Sequence, residues 1–204
     1  EKAAFTRLCG DLVACCPKAE RPSLMLQQAL TLVRVFDDPD SARRIADEAD
    51  TAVVRSDPDR SLILAQVLTE TGQHRKAMDV IDGALGRLVM PKDRRLDFMR
   101  VRLRNAAAIR DIEAERESAS VLLSADPEDA EAQFALVEAD HHAGRWDDAS
   151  RRIRLLLPNL ERLGAENAKL LHFYYGEILH AAQEDGLAVE CLDNALRIDR
   201  SFRP

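Results

Sequence analysis

The stretch 136-LVEADHHAGRWDDASRRIRLL-156 determines the fold of this 204-residue chain. Its apolar and small side chains recur at spacings of three and four residues, which is typical of one buried face of an α-helix. Gly144 interrupts this pattern, so the stretch predicts two helices joined by a tight turn. Ala149 is small enough to let the second helix approach the first closely, and Ile153, four residues later, fills the gap between neighbouring hairpins.

The same internal register recurs three more times, and such self-similarity is typical of repeat proteins. One copy spans residues 64–84 and places Gly72 where the first stretch has Gly144. A second copy follows at residues 175–195, and a weaker one begins at Leu103, between the first two. The small residues at the equivalent helix crossings are Ala77, Ala149 and Ala188.

The segments Gly144–Ala149 and Ala188–Asp199 resemble the tetratricopeptide repeat (TPR), a helix–turn–helix unit of about 34 residues. The resemblance implies an all-α fold, a right-handed superhelical αα-solenoid of about five antiparallel hairpins. The chain departs from the family pattern in several places: some repeats are spaced more widely than the family's unit, Pro158 falls early in its repeat, Glu115 stands where the family has Ala, and most aromatic positions are aliphatic or polar.

We expect residues 1–204 to form a single TPR-like domain. Residues 1–57 would be divergent leading helices, and residues 58–203 carry the clearer repeats. The chain opens on Glu1 rather than Met, and we therefore expect it to be a fragment of a longer protein.

Three Asp-Pro dipeptides predict helix starts at Asp38-Pro39, Asp57-Pro58 and Asp126-Pro127. Asp accepts hydrogen bonds from the free amides of a helix N-terminus, and Pro is tolerated at the first helical position, where no N–H is needed. With the glycine and proline breaks, they predict about eleven helices joined by short loops.

Composition and charge exclude several classes of protein. Aromatic residues make up only 4% of the chain and no stretch reaches the length of a membrane helix, so neither sheets nor membrane insertion are expected. The net charge of −7 argues against a nucleic-acid partner. The four cysteines have no metal-ligand spacing and predict free thiols. The compartment stays open, with the cytoplasm slightly favoured.

Two Glu-x-x-His pairs occupy equivalent positions in successive repeats. Glu138 and His141 form the first pair, and Glu177 and His180 form the second. A spacing of three residues places each Glu and His on one helix face, as in the half-sites of di-metal helical bundles. Those bundles add two further Glu ligands around a closed core that a solenoid lacks. We therefore expect no metal and no cofactor here.

In the TPR family the first helix of each repeat lines a concave groove that holds a peptide, and the resemblance implies such a groove here. Its residues would be Leu62, Gln66, Glu70, Arg100, Arg104, Phe134, Glu138, His141, His142, Phe173, Glu177 and His180. The family's basic clamp for C-terminal carboxylates uses Lys and Asn at several of these places, so we do not expect that ligand. The arginines near residues 94–104 suit a peptide of split charge or form a merely solvated helix face.

No phosphate-binding loop, nucleophile elbow, zinc-protease motif or dinucleotide fingerprint is present. Together with the TPR resemblance, this predicts a non-enzymatic scaffold that binds a protein or peptide partner and supports assembly of a larger complex. Two alternatives stay open: an architectural spacer within a larger secretion, export or signalling protein, and a metal-dependent enzyme that uses the Glu/His cluster. Self-association also stays open.

Overall fold

The structure is a computed structural model that describes residues 1–203. It divides into two compact units, Glu1–Asp111 and Ile112–Pro204. The first unit consists of α1 (Lys2–Cys15), α2 (Arg21–Phe36), α3 (Pro39–Ala49), α4 (Ala52–Arg55), α5 (Pro58–Glu70), α6 (His74–Arg87) and α7 (Lys92–Ile109). The second consists of α8 (Ile112–Ala125), α9 (Ala130–His142), α10 (Trp146–Leu156), a 3₁₀-helix (Leu157–Arg162), α11 (Gly164–Ala181) and α12 (Asp185–Ile198).

The all-α fold class is confirmed, because residues 1–203 contain helices and no strand. Consecutive helices pack as hairpins, α2 with α3 and α5 with α6 in the first unit, α9 with α10 and α11 with α12 in the second. The sequence did not predict α4, a single turn whose cap Thr51 accepts a hydrogen bond from the Val54 amide. The single-domain organisation stays a prediction.

Two of the three predicted helix starts are confirmed. The Asp38 carboxylate accepts a hydrogen bond from the Ser41 amide at 3.2 Å, and α3 begins at the following Pro39. The Asp57 carboxylate accepts one from the Arg60 amide at 2.9 Å, and α5 begins at Pro58. Both carboxylates therefore satisfy an amide that has no partner inside its helix.

The third predicted start, at Asp126-Pro127, is wrong by three residues. Asp126 instead accepts a hydrogen bond from the Glu128 amide within a turn, at 3.0 Å. Asp129 caps the helix, since its carboxylate accepts from the Ala132 amide at 3.0 Å, and α9 begins at Ala130. Two suitable carboxylates lie close together here, and the first along the chain is used in the turn.

The repeat is visible in the backbone as five left-handed residues, which follow the ends of α2, α5, α7, α9 and α11. They follow one another at similar intervals along the chain: Asp37, Gly72, Arg110, Gly144 and Gln183. In the last turn, for example, the Glu184 amide donates to the Leu179 carbonyl at 2.9 Å, which closes the helix end. Glycine adopts this conformation without strain, whereas a side chain makes it costly.

A longer period, two repeats in length, underlies the single repeat. We call the separation between Gly72 and Gly144 the two-repeat offset. Adding it to the bounds of α5 gives the bounds of α9, and adding it to those of α7 gives those of α11. The caps Asp57 and Asp129 are separated by the same offset. We therefore compare α5 with α9, and α7 with α11, position by position.

Each unit has its own core. The first unit packs one apolar cluster in which Phe98 is the largest completely buried side chain. The second packs a smaller apolar cluster around Ile153, Leu171 and the partly polar Tyr174. Among residues 1–203, no helix has both the length and the apolar character that a bilayer crossing requires.

Candidate functional site

Tyr174 on α11 lies at the centre of a group of rings in the second unit. Its ring centroid is 4.4 Å from that of His141 and 6.0 Å from that of His142, both on α9. Phe173 and Phe134 lie at 5.8 and 6.4 Å. We call the polar part of this group the Tyr174 cluster. Its members are Glu115 on α8, Glu138, His141 and His142 on α9, and Tyr174 and Glu177 on α11.

Hydrogen bonds in the Tyr174 cluster run between helices rather than along them. The Tyr174 hydroxyl donates to Glu138 Oε1 at 3.0 Å, and His141 Nε2 lies 3.0 Å from Glu177 Oε2. The i, i+3 spacing places Glu138 and His141 on one face of α9, and each then contacts α11. The two contacts between α9 and α11 therefore join Glu138 to Tyr174 and His141 to Glu177, whereas His180 of the second Glu-x-x-His pair contacts Asp185.

Glu115 is the most deeply buried member of the Tyr174 cluster, with 2% of its surface exposed. Its Oε1 has no hydrogen-bond partner. Burial, and secondarily the negative charge of Glu138, raise the pKa of the Glu115 carboxyl to about 8. The group therefore holds a proton at neutral pH unless a cation compensates its charge.

Burial and three carboxylates also act on the other members of the Tyr174 cluster. Burial raises the pKa of the Tyr174 hydroxyl, and Glu138, Glu115 and Glu177 add to the rise. Burial lowers the pKa of His141 against the opposing influence of Glu177. Glu138 bonds to the Tyr174 hydroxyl, and the carboxyl groups of Glu115 and Glu177, on two other helix positions, affect its pKa through their charge.

Asp140 fixes α9 beside this cluster. Its buried carboxylate accepts hydrogen bonds from Arg145 Nε at 2.9 Å, from Arg152 Nε at 3.1 Å, and from Arg116 Nη1. Arg116 lies on α8, while Arg152 lies on α10 and Arg145 immediately precedes that helix. One carboxylate therefore ties α9 to both of the helices that flank it in the sequence.

The structure brings together half of the predicted groove residues. Six of them lie in or against the Tyr174 cluster: Phe134, Glu138, His141, His142, Phe173 and Glu177. Phe134 is buried and offers no accessible side chain. His142 and Glu177 are exposed, and Glu138 and Phe173 are half-buried. His180 lies apart, where its exposed ring contacts Asp185 at 2.8 Å.

The remaining predicted residues lie in the first unit. Leu62 is buried in the core of that unit and presents no surface to a partner, because its face of α5 packs inward. Gln66 is half-buried, and Glu70 forms an ion pair with Arg34 at 3.0 Å. Arg100 is half-buried and Arg104 is exposed. That these residues bind a partner stays a prediction.

Sequence reasoning missed two members of the Tyr174 cluster. Glu115 stands where the repeat pattern expects a small residue, so an acidic side chain at a helix crossing was the available signal. Tyr174 lies three residues after Leu171 and four before Ile178, a spacing that places all three on the buried face of α11.

No group of three or more His, Cys, Asp or Glu side chains among residues 1–203 has a geometry that would hold a metal ion. The four cysteines are free thiols. The chemistry that the Tyr174 cluster offers is therefore that of carboxylates, imidazoles and aromatic rings.

Comparison with known proteins places this fold among the TPR proteins. No family model and no curated protein sequence matches the chain. MamA MSR-1 C2 is similar over 89% of this chain and 98% of its own, with 13% identity and a TM-score of 0.65. YrrB, described as a TPR protein with an unusual peptide-binding site, is similar over 99% of this chain and 95% of its own, with 16% identity and a TM-score of 0.61.

The chain thus has an all-α TPR-like fold, as the sequence predicted.

Proposed function

We propose that the chain is a non-enzymatic protein–protein interaction scaffold that binds a peptide or protein segment and supports assembly of a larger complex. The Tyr174 cluster carries the proposal. It combines exposed Glu177 and His142 with half-buried Glu138, and half-buried Phe173 lies against it, all on the first helices of two successive hairpins. Aromatic rings beside polar groups are typical of surfaces that bind protein segments.

The similarity to YrrB supports a peptide as the ligand, because that TPR protein is described as having a peptide-binding site. In a helical repeat fold the first helices of successive hairpins present one continuous row of side chains. A peptide that follows α9 and α11 would contact the Tyr174 cluster directly.

A displayed library of random peptides tests this function. The chain is immobilised, binders are selected, and the dissociation constant of each synthetic binder is measured for the native chain and for two variants. One variant is Glu138→Ala with His141→Ala, and the control is Glu190→Ala, on the exposed part of α12.

We expect binders whose affinity falls at least about tenfold in the double variant and stays unchanged in the control. Circular dichroism of both variants checks that the helices are intact. A library that yields no binder, or binders that both variants weaken equally, would contradict a peptide-binding role for this surface.

A further inference from the structure

Three carboxylates converge in the Tyr174 cluster without a cation to compensate them. Glu138 accepts the hydroxyl of Tyr174, and Glu177 contacts His141, an imidazole whose pKa is lowered by burial. Within the part of the chain that the structure describes, neither these two nor Glu115 forms a hydrogen bond or ion pair with Lys or Arg. The site therefore groups three acidic side chains in a helical core, and Glu115 keeps its proton at neutral pH until a cation compensates its charge.

The buried carboxyl of Glu115 makes this arrangement incomplete. Its Oε1 is out of contact with solvent and has no hydrogen-bond donor. Leaving a buried acceptor without a donor costs about 1–3 kcal/mol. An acceptor of this kind, next to a second carboxylate, indicates a position where a donor of positive charge would be bound.

Asp140, two residues along α9 from Glu138, shows how the same unit treats a carboxylate with a structural role. Asp140 is as deeply buried as Glu115, and three arginines donate hydrogen bonds to its carboxylate. Arginines thus compensate the buried Asp140 carboxylate, whereas none of them contacts Glu115, Glu138 or Glu177. Asp140 is therefore a structural carboxylate, whereas the three glutamates have no cation within the protein and can accept one from a ligand.

The Tyr174 cluster reaches the protein surface through groups that suit a cation. Glu177 has 47% of its side chain exposed, His142 is exposed, and Phe173 is half-buried. Phe173 is the more accessible of the two large aromatic rings on α11 in this group, and an aromatic ring attracts an ammonium or guanidinium group. Carboxylates and aromatic faces together are the chemistry that recognises Lys and Arg side chains.

We propose that the Tyr174 cluster binds one cationic side chain, Arg or Lys, of the peptide that the scaffold holds. Glu138 and Glu177 contact the charged group, and Glu115 loses its proton when that group binds and then adds a third negative charge. This inference rests on the proposed peptide-binding function and specifies the anchor residue of that peptide.

The experiment is a titration followed by nuclear magnetic resonance of the His141, His142 and Tyr174 ring protons. Three capped peptides of the sequence Gly-Ala-X-Ala-Gly serve as probes, with X as Arg, Lys or citrulline. Citrulline keeps the shape of Arg and removes its charge, so it separates electrostatic recognition from simple contact. The proteins are the native chain, Glu138→Gln, Glu177→Gln and the control Glu190→Gln.

We expect the Arg and Lys peptides to shift the three ring signals saturably, and the citrulline peptide to bind at least about tenfold more weakly. Glu138→Gln and Glu177→Gln should each raise the dissociation constant of the Arg peptide about tenfold, while Glu190→Gln should not change it. Equal binding of the Arg and citrulline peptides, or no shift up to about 20 mM peptide, would overturn the proposal.

The two proposals fail in different ways. Library binders that contact the Tyr174 cluster through an acidic or apolar residue would remove the cationic anchor and leave the scaffold function in place. A library without binders would remove the scaffold function itself.

Discussion

Positions 69 and 105 in the first unit are equivalent, by the two-repeat offset, to positions 141 and 177 in the second. In the first unit Asn105 Nδ2 donates to Thr69 Oγ1 at 2.7 Å, a contact between two neutral groups. In the second unit the equivalent contact joins His141 and Glu177 at 3.0 Å, and both side chains are ionisable. The two contacts therefore occupy equivalent backbone positions, but one joins neutral side chains and the other joins ionisable ones.

The same difference extends to the buried polar side chains of the two units. In the first unit they are neutral: Gln28, Ser61, Thr71 and Asn105. In the second, all except Ser118 are ionisable: Glu115, Asp129, Asp140, Lys169 and His172. Burying charge costs desolvation energy that burying a neutral, hydrogen-bonded group does not. Arginines compensate Asp140, and Asp129 caps a helix, but Glu115 Oε1 has no donor, so this cost is not offset at Glu115, a member of the Tyr174 cluster.

The largest effect should follow from removing apolar packing in the first unit. We expect Phe98→Ala to lower the free energy of unfolding by about 3–5 kcal/mol, because the ring is completely buried. Chemical denaturation followed by circular dichroism measures the change. Phe5→Ala is the control, since Phe5 is half-buried and stacks only at the edge of this core, on Phe36. Equal losses in both variants would contradict the dominance of Phe98.

The next effect concerns the uncompensated acid of the second unit. Folding raises the pKa of Glu115 to about 8, so the folded chain binds this proton more tightly than the unfolded chain. The group therefore destabilises the fold as pH rises from about 4.5 to about 8, and it is neutral in both states below that window.

We expect Glu115→Gln to raise the free energy of unfolding by an amount on the order of 3 kcal/mol at pH 8. The difference should vanish near pH 4. Denaturation of both proteins at several pH values measures it. A variant that is less stable than the native chain at pH 8 would show that the carboxylate is compensated in solution.

A smaller loss is expected at the compensated acid. Asp140→Asn keeps the shape of the side chain but weakens three charge-assisted hydrogen bonds from arginines that are themselves partly exposed. We expect a loss of about 2 kcal/mol in the free energy of unfolding. Asp147→Asn, at an exposed position in the first turn of α10, is the control and should change stability by less than about 0.5 kcal/mol.

The smallest effect concerns a turn. Gln183 adopts a φ of +64° where the equivalent turns at residues 72 and 144 have glycine. We expect Gln183→Gly to stabilise the fold by about 0.5–1 kcal/mol, the strain of a left-handed side chain less the backbone entropy of glycine. Thermal unfolding measures it. The reverse change, Gly144→Gln, should destabilise the fold, and a gain in that variant would contradict the strain argument.

Much of the fold could be predicted from the sequence because its signals are local. The glycines of two turns, the small residues at the crossings and the capping carboxylates Asp38 and Asp57 each act within one helical turn of their position. The start of α9 was misplaced because Asp126 and Asp129 are both competent caps, and only the chain's path decides between them.

The candidate site was harder to predict, because it depends on how α9 and α11 face each other. Spacing alone placed Glu138 beside His141, but not His141 opposite Glu177. It also could not show that Leu62 and Phe134 point into the core, since a helix with apolar residues on several faces has no unique buried side. Glu115 was visible as a departure from the pattern, yet its burial follows only from the packed helices.

The two-repeat offset between α5 and α9, and between α7 and α11, bears on how such a chain changes length. In the order α5, α7, α9, α11, helices of 13 residues alternate with helices of 18, so the long ones exceed the short by about 7.5 Å. Losing or duplicating a single hairpin would bring two first helices of equal length together in the sequence. Losing or duplicating four consecutive helices would preserve the alternation, so a change in length that keeps this pattern comes in steps of four helices.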